Sequence, residues 1–330
     1  MNNPFIYSND NKRYHTYNYY LKNKYNKKVA KVALNGNFTC PNRDGTISSG
    51  GCIYCSSSGS GDFGGNPNED LMMQFEKGKQ MMQSKWPNCG FIAYFQAGTN
   101  THAPIDILKE TFEPFVNHPD VLGIAIATRP DCLSDEVIAY LSDLNKRCDL
   151  TIELGLQTIH PQTAKLINRG HDLDCFVQAV QKLRKENIEI CVHFINGLPH
   201  ETKEDMLQTA KFLSQLDIQF IKIHMLFILD NTPIYQYYQQ TNFPLLSRED
   251  FIDITVKQLE MFKPEVVVER LTGDGDPKHL FYPLWSIKKV TILNDIDKTL
   301  ASENTYQWKK YSTSILLDAP FYYLFFCRFN

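Results

Sequence analysis

Of the nine cysteines in the 330-residue chain, only Cys40, Cys52 and Cys55 are grouped. Eleven residues separate Cys40 from Cys52, and two separate Cys52 from Cys55. An odd cysteine count without a secretory leader argues against a disulfide framework. Isolated cysteines in apolar company behave as small buried hydrophobes. Three grouped thiols are instead a ligand set for soft metals, which leaves zinc and iron–sulfur as the serious candidates. Structural zinc takes four protein ligands. The first histidine downstream is His102, and there is no second Cys-x-x-Cys pair. Three thiolates with no evident fourth suit a [4Fe–4S] cluster that leaves one iron open to a further ligand. A structural zinc module and a chance grouping are the alternatives.

Such a site needs elements to hold it. Short apolar runs at Val29–Leu34, Phe91–Phe95, Gly123–Ala127, Leu150–Leu154, Ile188–Ile195 and Phe220–Phe227 read as strands. Between them the pattern predicts helices at 68–86, 104–117, 134–147, 160–168, 173–186 and 201–216. Their start signals are Asn68, Ser134 and Thr202. Strands alternating with helices imply a parallel sheet wound in βα units. A complete eight-unit barrel is larger, so the expected fold class is α/β, an open partial (β/α)6 barrel with a C-terminal extension. The extension begins with a helix at Ser247–Phe262 and a strand at Glu265–Leu271. The expected division is a basic, tyrosine-rich arm over 1–28, a barrel over 29–283 and a tail over 284–330. The tail is helix-forming over Ser286–Gln307 and abruptly apolar over Ser314–Phe329.

The net charge of −3 advertises no global affinity for nucleic acid. The N-terminus has no signal-peptide pattern, and no apolar run is long enough for a confident membrane span. The expectation is a cytoplasmic protein without a membrane partner.

The cysteine segment resembles the radical S-adenosylmethionine superfamily, with Tyr54 as the aromatic that precedes the last cysteine there. The expanded first gap, the loop Ser56–Gly61 and the following Asp62-Phe63 resemble the Elongator catalytic-subunit branch. The similarity runs from about Tyr14 to about Pro283. It implies that Cys40, Cys52 and Cys55 bind the cluster and that S-adenosylmethionine is the second cofactor. Gln96-Ala-Gly-Thr-Asn-Thr101 stands where the superfamily has Gly-Gly-Glu, whose backbone meets the methionine amino group. The acid is absent, so the polar backbone at Gln96, with Thr99 or Asn100, takes its place. Ala127-Thr-Arg-Pro-Asp131 is similar to that branch's third strand end, with Ala127 in place of its Glu.

The pairing of Gln157 with Arg169 also resembles oxygen-independent coproporphyrinogen dehydrogenases. There the Gln meets the ribose and the Arg grips the methionine carboxylate, as a guanidinium fork can. A helix-terminal surface arginine is the plainer reading of Arg169, and a buried structural acid that of Glu153. Gly197, in His193-Phe-Ile-Asn-Gly-Leu-Pro199, is implied beside the adenine, and His193 stands where those enzymes carry Asp. Lys222 and His224 share a strand face and are candidates for substrate or cofactor. Asp274 and Asp276 read as a plain glycine-rich turn.

The Elongator resemblance implies tRNA as partner, with chemistry at C5 of a wobble uridine, and a low-potential electron donor such as flavodoxin or ferredoxin. Lysines and tyrosines of the arm, Lys12–Lys31, are compatible with phosphates and splayed bases. The competing reading is an arm packed on the barrel. No acetyltransferase segment is visible, so a reaction other than Elongator's own is expected. A small molecule or a tetrapyrrole is the alternative substrate.

Overall fold

A computed structural model describes residues 3–56, 59 and 64–310 of the chain. The Asp62-Phe63 pair, part of the loop before it, and the apolar Ser314–Phe329 lie outside the described residues. The elements run α1 (Tyr17–Tyr25), β1 (Val29–Leu34), α2 (Leu71–Lys85), β2 (Gly90–Phe95), α3 (Ile105–Val116), β3 (Val121–Thr128) and α4 (Asp135–Asn145). There follow β4 (Leu150–Gln157), α5 (Pro161–Leu166), α6 (Leu173–Lys185), β5 (Glu189–Asn196), α7 (Lys203–Ser214), β6 (Phe220–Met225) and β7 (Ile228–Leu229). The chain continues with α8 (Pro233–Thr241), α9 (Arg248–Leu259), β8 (Val267–Arg270), β9 (Leu280–Tyr282) and α10 (Lys289–Ser302).

Seven strands form one parallel sheet in the order β1-β2-β3-β4-β5-β6-β8, curled into a partial barrel. The strand expected after the sixth unit extends this sheet by pairing with β6. A separate antiparallel pair, β7 with β9, was not legible in the sequence. Its strands are two and three residues long, too short to show an alternation.

The two faces of the sheet divide by residue type. Val32, Leu34, Ala93, Phe95, Ile152, Leu154, Val192 and Ile223 join the main core under the helices. There Phe95 meets Phe112 edge to face at 4.7 Å, and burying each such ring contributes roughly 1.5–3 kcal/mol. The alternate positions Tyr94, Glu153, His193 and Lys222 face the barrel interior and line its cavity.

Helix caps follow side-chain chemistry. Ser134 accepts a hydrogen bond from Val137 N, and Thr202 forms a capping box with Asp205. The start expected at Asn68 falls at Asp70, whose carboxylate accepts from Met72 N and Met73 N.

Helix α1 fills the barrel's lower interior. Its Tyr17 and Tyr20 pack on Cys191, Phe220 and Val267, and Leu21 packs with Val29, Ile92, Tyr94 and Ala125. Just before it, Val268 N donates to His15 O at 2.7 Å, which ties the arm to β8. Tyr14, Tyr17, Tyr20 and Tyr25 are thus engaged in packing within the chain.

Candidate active site and metal centre

The cysteines sit on the loop that leaves the C-terminal end of β1. Cys52 is buried at 4% exposure, and Cys55 N donates to Cys52 O at 3.0 Å in a tight turn. The residues between them anchor that turn. Ile53 N donates to Ile167 O at 3.1 Å and Ile53 O accepts from Ile234 N at 2.9 Å. Ile53 and Tyr54 also pack on the apolar cluster of Ile167, Ile195, Leu198, Leu226, Ile228, Ile234 and Phe243. Helix α8, which carries Ile234, escaped sequence reasoning: it is nine residues long, and Thr232 before it makes no side-chain cap.

Arg169 comes to the cysteines from the turn after α5. Its Nη1 donates to Cys52 Sγ at 3.7 Å and its Nη2 to Gly155 O at 2.5 Å, while Nε is buried without a partner. Gly155 makes this possible: a Cβ there would stand 2.9 Å from Arg169 Nη2 and 2.7 Å from Gln157 Nε2. Arg169 is 5% exposed, so the surface-arginine reading fails on burial. Gln157 ends β4 with φ of 76° and keeps a buried, unpartnered Oε1. Asn42 donates from Nδ2 to Cys52 Sγ at 3.6 Å and to Arg169 O at 3.2 Å.

Charge at the thiols follows from these neighbours. The Cys55 thiol donates a hydrogen bond that holds the Cys52 thiol well below its usual value, against burial, and Arg169 and Arg129 add to it. Cys55 is pushed up by the same bond and by burial. One thiolate is therefore favoured even in the bare pair, as metal ligation requires.

Cys40, Cys52, Cys55, Gln96, Thr99, Gln157, Arg169 and His193 all line one cavity of about 490 Å³. Thr99 N donates to Thr39 O at 3.0 Å and Gln96 N to Leu34 O at 3.1 Å, so both are fixed to the cysteine loop's root. Asn100, the alternative to Thr99, does not reach the cavity. Its Nδ2 donates to Phe95 O at 3.0 Å and to Ala127 O at 2.8 Å, stapling β2 to β3. Gly197 is also not brought there: the space beside it faces Leu246 and Leu226. His193 is in the cavity wall, with Nε2 2.8 Å from Glu153 Oε2.

Glu153 is a buried acid in an ionic network. It meets Lys31 Nζ at 2.6 Å, Lys222 Nζ at 2.5 Å and Tyr94 OH at 2.7 Å. Burial pushes its carboxyl up, but Lys222 and Lys31 outweigh that and hold it well below the usual range. Arg129 and Arg270 line the same cavity and were not singled out in the sequence. Arg129 forks onto Asp131 at 2.9 and 2.6 Å and leaves Nη1 buried and unpartnered. Its closeness to the cysteine loop depends on how β1 and β3 flank β2, which local sequence does not encode.

Residues 42–213 match the model of the Radical SAM superfamily, and residues 218–302 that of the Radical_SAM C-terminal domain. The chain belongs to the radical SAM superfamily. Its cofactors are accordingly a [4Fe–4S] cluster and S-adenosylmethionine. The Bacillus subtilis protein YtqA is 51% identical over 309 residues, covering 94% of this chain and 96% of its own. The Methanocaldococcus infernus tRNA uridine(34) acetyltransferase is 25% identical over 136 residues, covering 40% of this chain and 25% of its own. Among solved structures, N-terminally truncated Elp3 of Methanocaldococcus infernus superposes with a TM-score of 0.64 at 18% identity. That match covers 84% of this chain and 64% of the archaeal chain.

The radical SAM cofactors fit the residues present. Among the described residues, the one triad of possible ligands with atoms mutually within 4.8 Å is Glu153, Cys191 and His193. Cys40, Cys52 and Cys55 instead line the wall of one cavity, where three thiolates can serve one cluster. Around them, the buried Arg169 Nε and Arg129 Nη1 lack acceptors and Gln157 Oε1 lacks a donor. A ligand with a carboxylate and hydroxyl groups meets those needs.

Proposed function

We propose that this radical SAM protein modifies tRNA, at C5 of the wobble uridine. The observation that carries the reading is the sequence likeness to an archaeal tRNA uridine(34) acetyltransferase over 136 residues. The fold shared with archaeal Elp3 supports it. The likeness does not extend to an acetyltransferase activity, because it covers only 25% of that protein.

When bound, the cluster supplies one electron that cleaves the sulfonium of S-adenosylmethionine and yields a 5′-deoxyadenosyl radical. A low-potential donor such as flavodoxin or ferredoxin delivers that electron. The chain's residues bind and orient. Cys40, Cys52 and Cys55 would hold the cluster. Arg169, braced by Gly155 O, presents its guanidinium to the methionine carboxylate. Gln157 Oε1, buried without a donor, would accept from a ribose hydroxyl, and the backbone at Gln96 and Thr99 would receive the ammonium. The curled sheet would position the bound cofactors along one wall of the cavity.

Nucleoside analysis of tRNA from a strain lacking the gene tests this. The reading expects one C5-substituted wobble uridine to disappear and its precursor to accumulate. An unchanged profile rejects it and leaves a small-molecule substrate.

A further inference from the structure

The wall formed by β5, β6 and β8 carries groups that neither cofactor uses. His224, on β6, lines the cavity, and its Nε2 is buried without a hydrogen-bond partner. The ring stands 5.3 Å from that of His193, which the hydrogen bond to Glu153 fixes in turn. Lys222 has no donor to spare: its ammonium meets Glu153 at 2.5 Å, Tyr94 OH at 3.3 Å and Glu269 at 3.4 Å. Arg270 also lines the cavity, and its nearest acid is Asp274 at 3.7 Å.

A metal is not the missing partner on this wall. The triad of Glu153, Cys191 and His193 is compact enough for one. Two ammonium groups, however, already neutralise Glu153, and a cation would face both.

His224 and Arg270 thus line one cavity, the first with a buried, unsatisfied imidazole nitrogen and the second with a guanidinium whose nearest acid is 3.7 Å away. The groups that act on His224 keep it an acceptor. Burial lowers its pKa well below the ordinary value, His193, Arg270 and Lys222 lower it further, and only Glu153 opposes them. Such a pair matches a planar edge on which N–H adjoins C=O. Any base can present a donor beside an acceptor, and uridine is selected here because the inference rests on the tRNA reading above.

We propose that His224 and Arg270 form the base subsite, His224 Nε2 accepting the imide N–H of a uracil ring and Arg270 donating to the carbonyl beside it. Glu153 is then a positioning residue, acting through His193 on the His224 ring. Leaving the imidazole buried and unpaired is costly in the empty cavity, and the base removes that cost on binding.

The test uses anaerobically loaded, oxidised protein with S-adenosylmethionine and carbon-labelled histidine, observed by NMR. The His224 signal is assigned by its loss in His224→Gln. Uridine 5′-monophosphate should shift that signal, and N3-methyluridine 5′-monophosphate, which lacks the imide N–H, should bind about tenfold more weakly. In His224→Gln the affinity for uridine monophosphate should fall by a similar factor while the brown cluster absorbance is retained. Equal binding of the two nucleotides to the wild-type protein overturns the proposal, as does a His224 signal that neither nucleotide moves. Failure of the tRNA reading is seen separately: the nucleotide still binds at His224, but wobble nucleosides in the deletion strain are unchanged.

Discussion

Lys31 on the first strand and Glu269 on the last lie 2.6 Å apart, Nζ to Oε2, so one ion pair joins the two edges of the curled sheet. Glu153, from the middle of the sheet, takes a second proton of the same ammonium at 2.6 Å. Among the described residues no further strand closes the barrel, and this buried network joins its open edges beneath the cavity. Both partners of each contact are buried or nearly so, so removing one partner strands the other.

Glu153→Gln should therefore destabilise the fold by roughly 3–5 kcal/mol at neutral pH, read by denaturant titration. The folded carboxyl lies below the ordinary 4.5, so its contribution is present above that pH. It fades as pH falls below 4.5 toward the depressed folded value. The gap between wild type and variant should shrink on that side only. A gap independent of pH would mean that the carboxylate charge contributes nothing.

Arg169→Lys keeps the charge and loses the fork. Binding of S-adenosylmethionine should weaken by about 10–100-fold, the range of a lost charge-assisted hydrogen bond, while the iron content stays at the wild-type level. Calorimetry on the loaded protein reads the first and iron analysis the second. Loss of iron along with affinity would place Arg169 in the support of the loop rather than at the ligand.

Gly155→Ala puts a methyl group between Gln157 and Arg169. Nothing at the cysteines is displaced directly, so a brown, folded protein with impaired S-adenosylmethionine binding is expected. Wild-type binding in that variant would show that neither side chain needs its present position.

Tyr17→Ala tests the arm. The ring meets Phe220 edge to face at 5.9 Å and packs under the barrel, so about 3–5 kcal/mol of stability should be lost. The affinity of the surviving folded protein for tRNA should be unchanged in a filter-binding assay. A selective loss of tRNA affinity would return the arm to an RNA-binding role.

The sequence made the sheet legible because its strands are apolar on the helix side and its helices carry side-chain caps. It made the cysteine loop legible because thiol spacing is local. What it could not show are relationships made by curvature. Arg129, Arg270 and Tyr94 reach the cavity only once β1 to β8 curl around it, and Arg169 is buried only because Gly155 admits it. Gly197 and Asn100 show the opposite failure: both sit in the right segments, yet one faces Leu226 and Leu246 and the other staples two strands. The arm's tyrosines were ambiguous because stacking on a base and packing under a sheet call for the same side chain.

The most direct test of the account mixes reduced, cluster-loaded protein with S-adenosylmethionine and tRNA from the deletion strain, then follows 5′-deoxyadenosine and the wobble nucleoside together. The account predicts that both change only when Cys40, Cys52 and Cys55 are intact, and that tRNA from the parent strain gives little conversion. Formation of 5′-deoxyadenosine with no change in any tRNA nucleoside would contradict it.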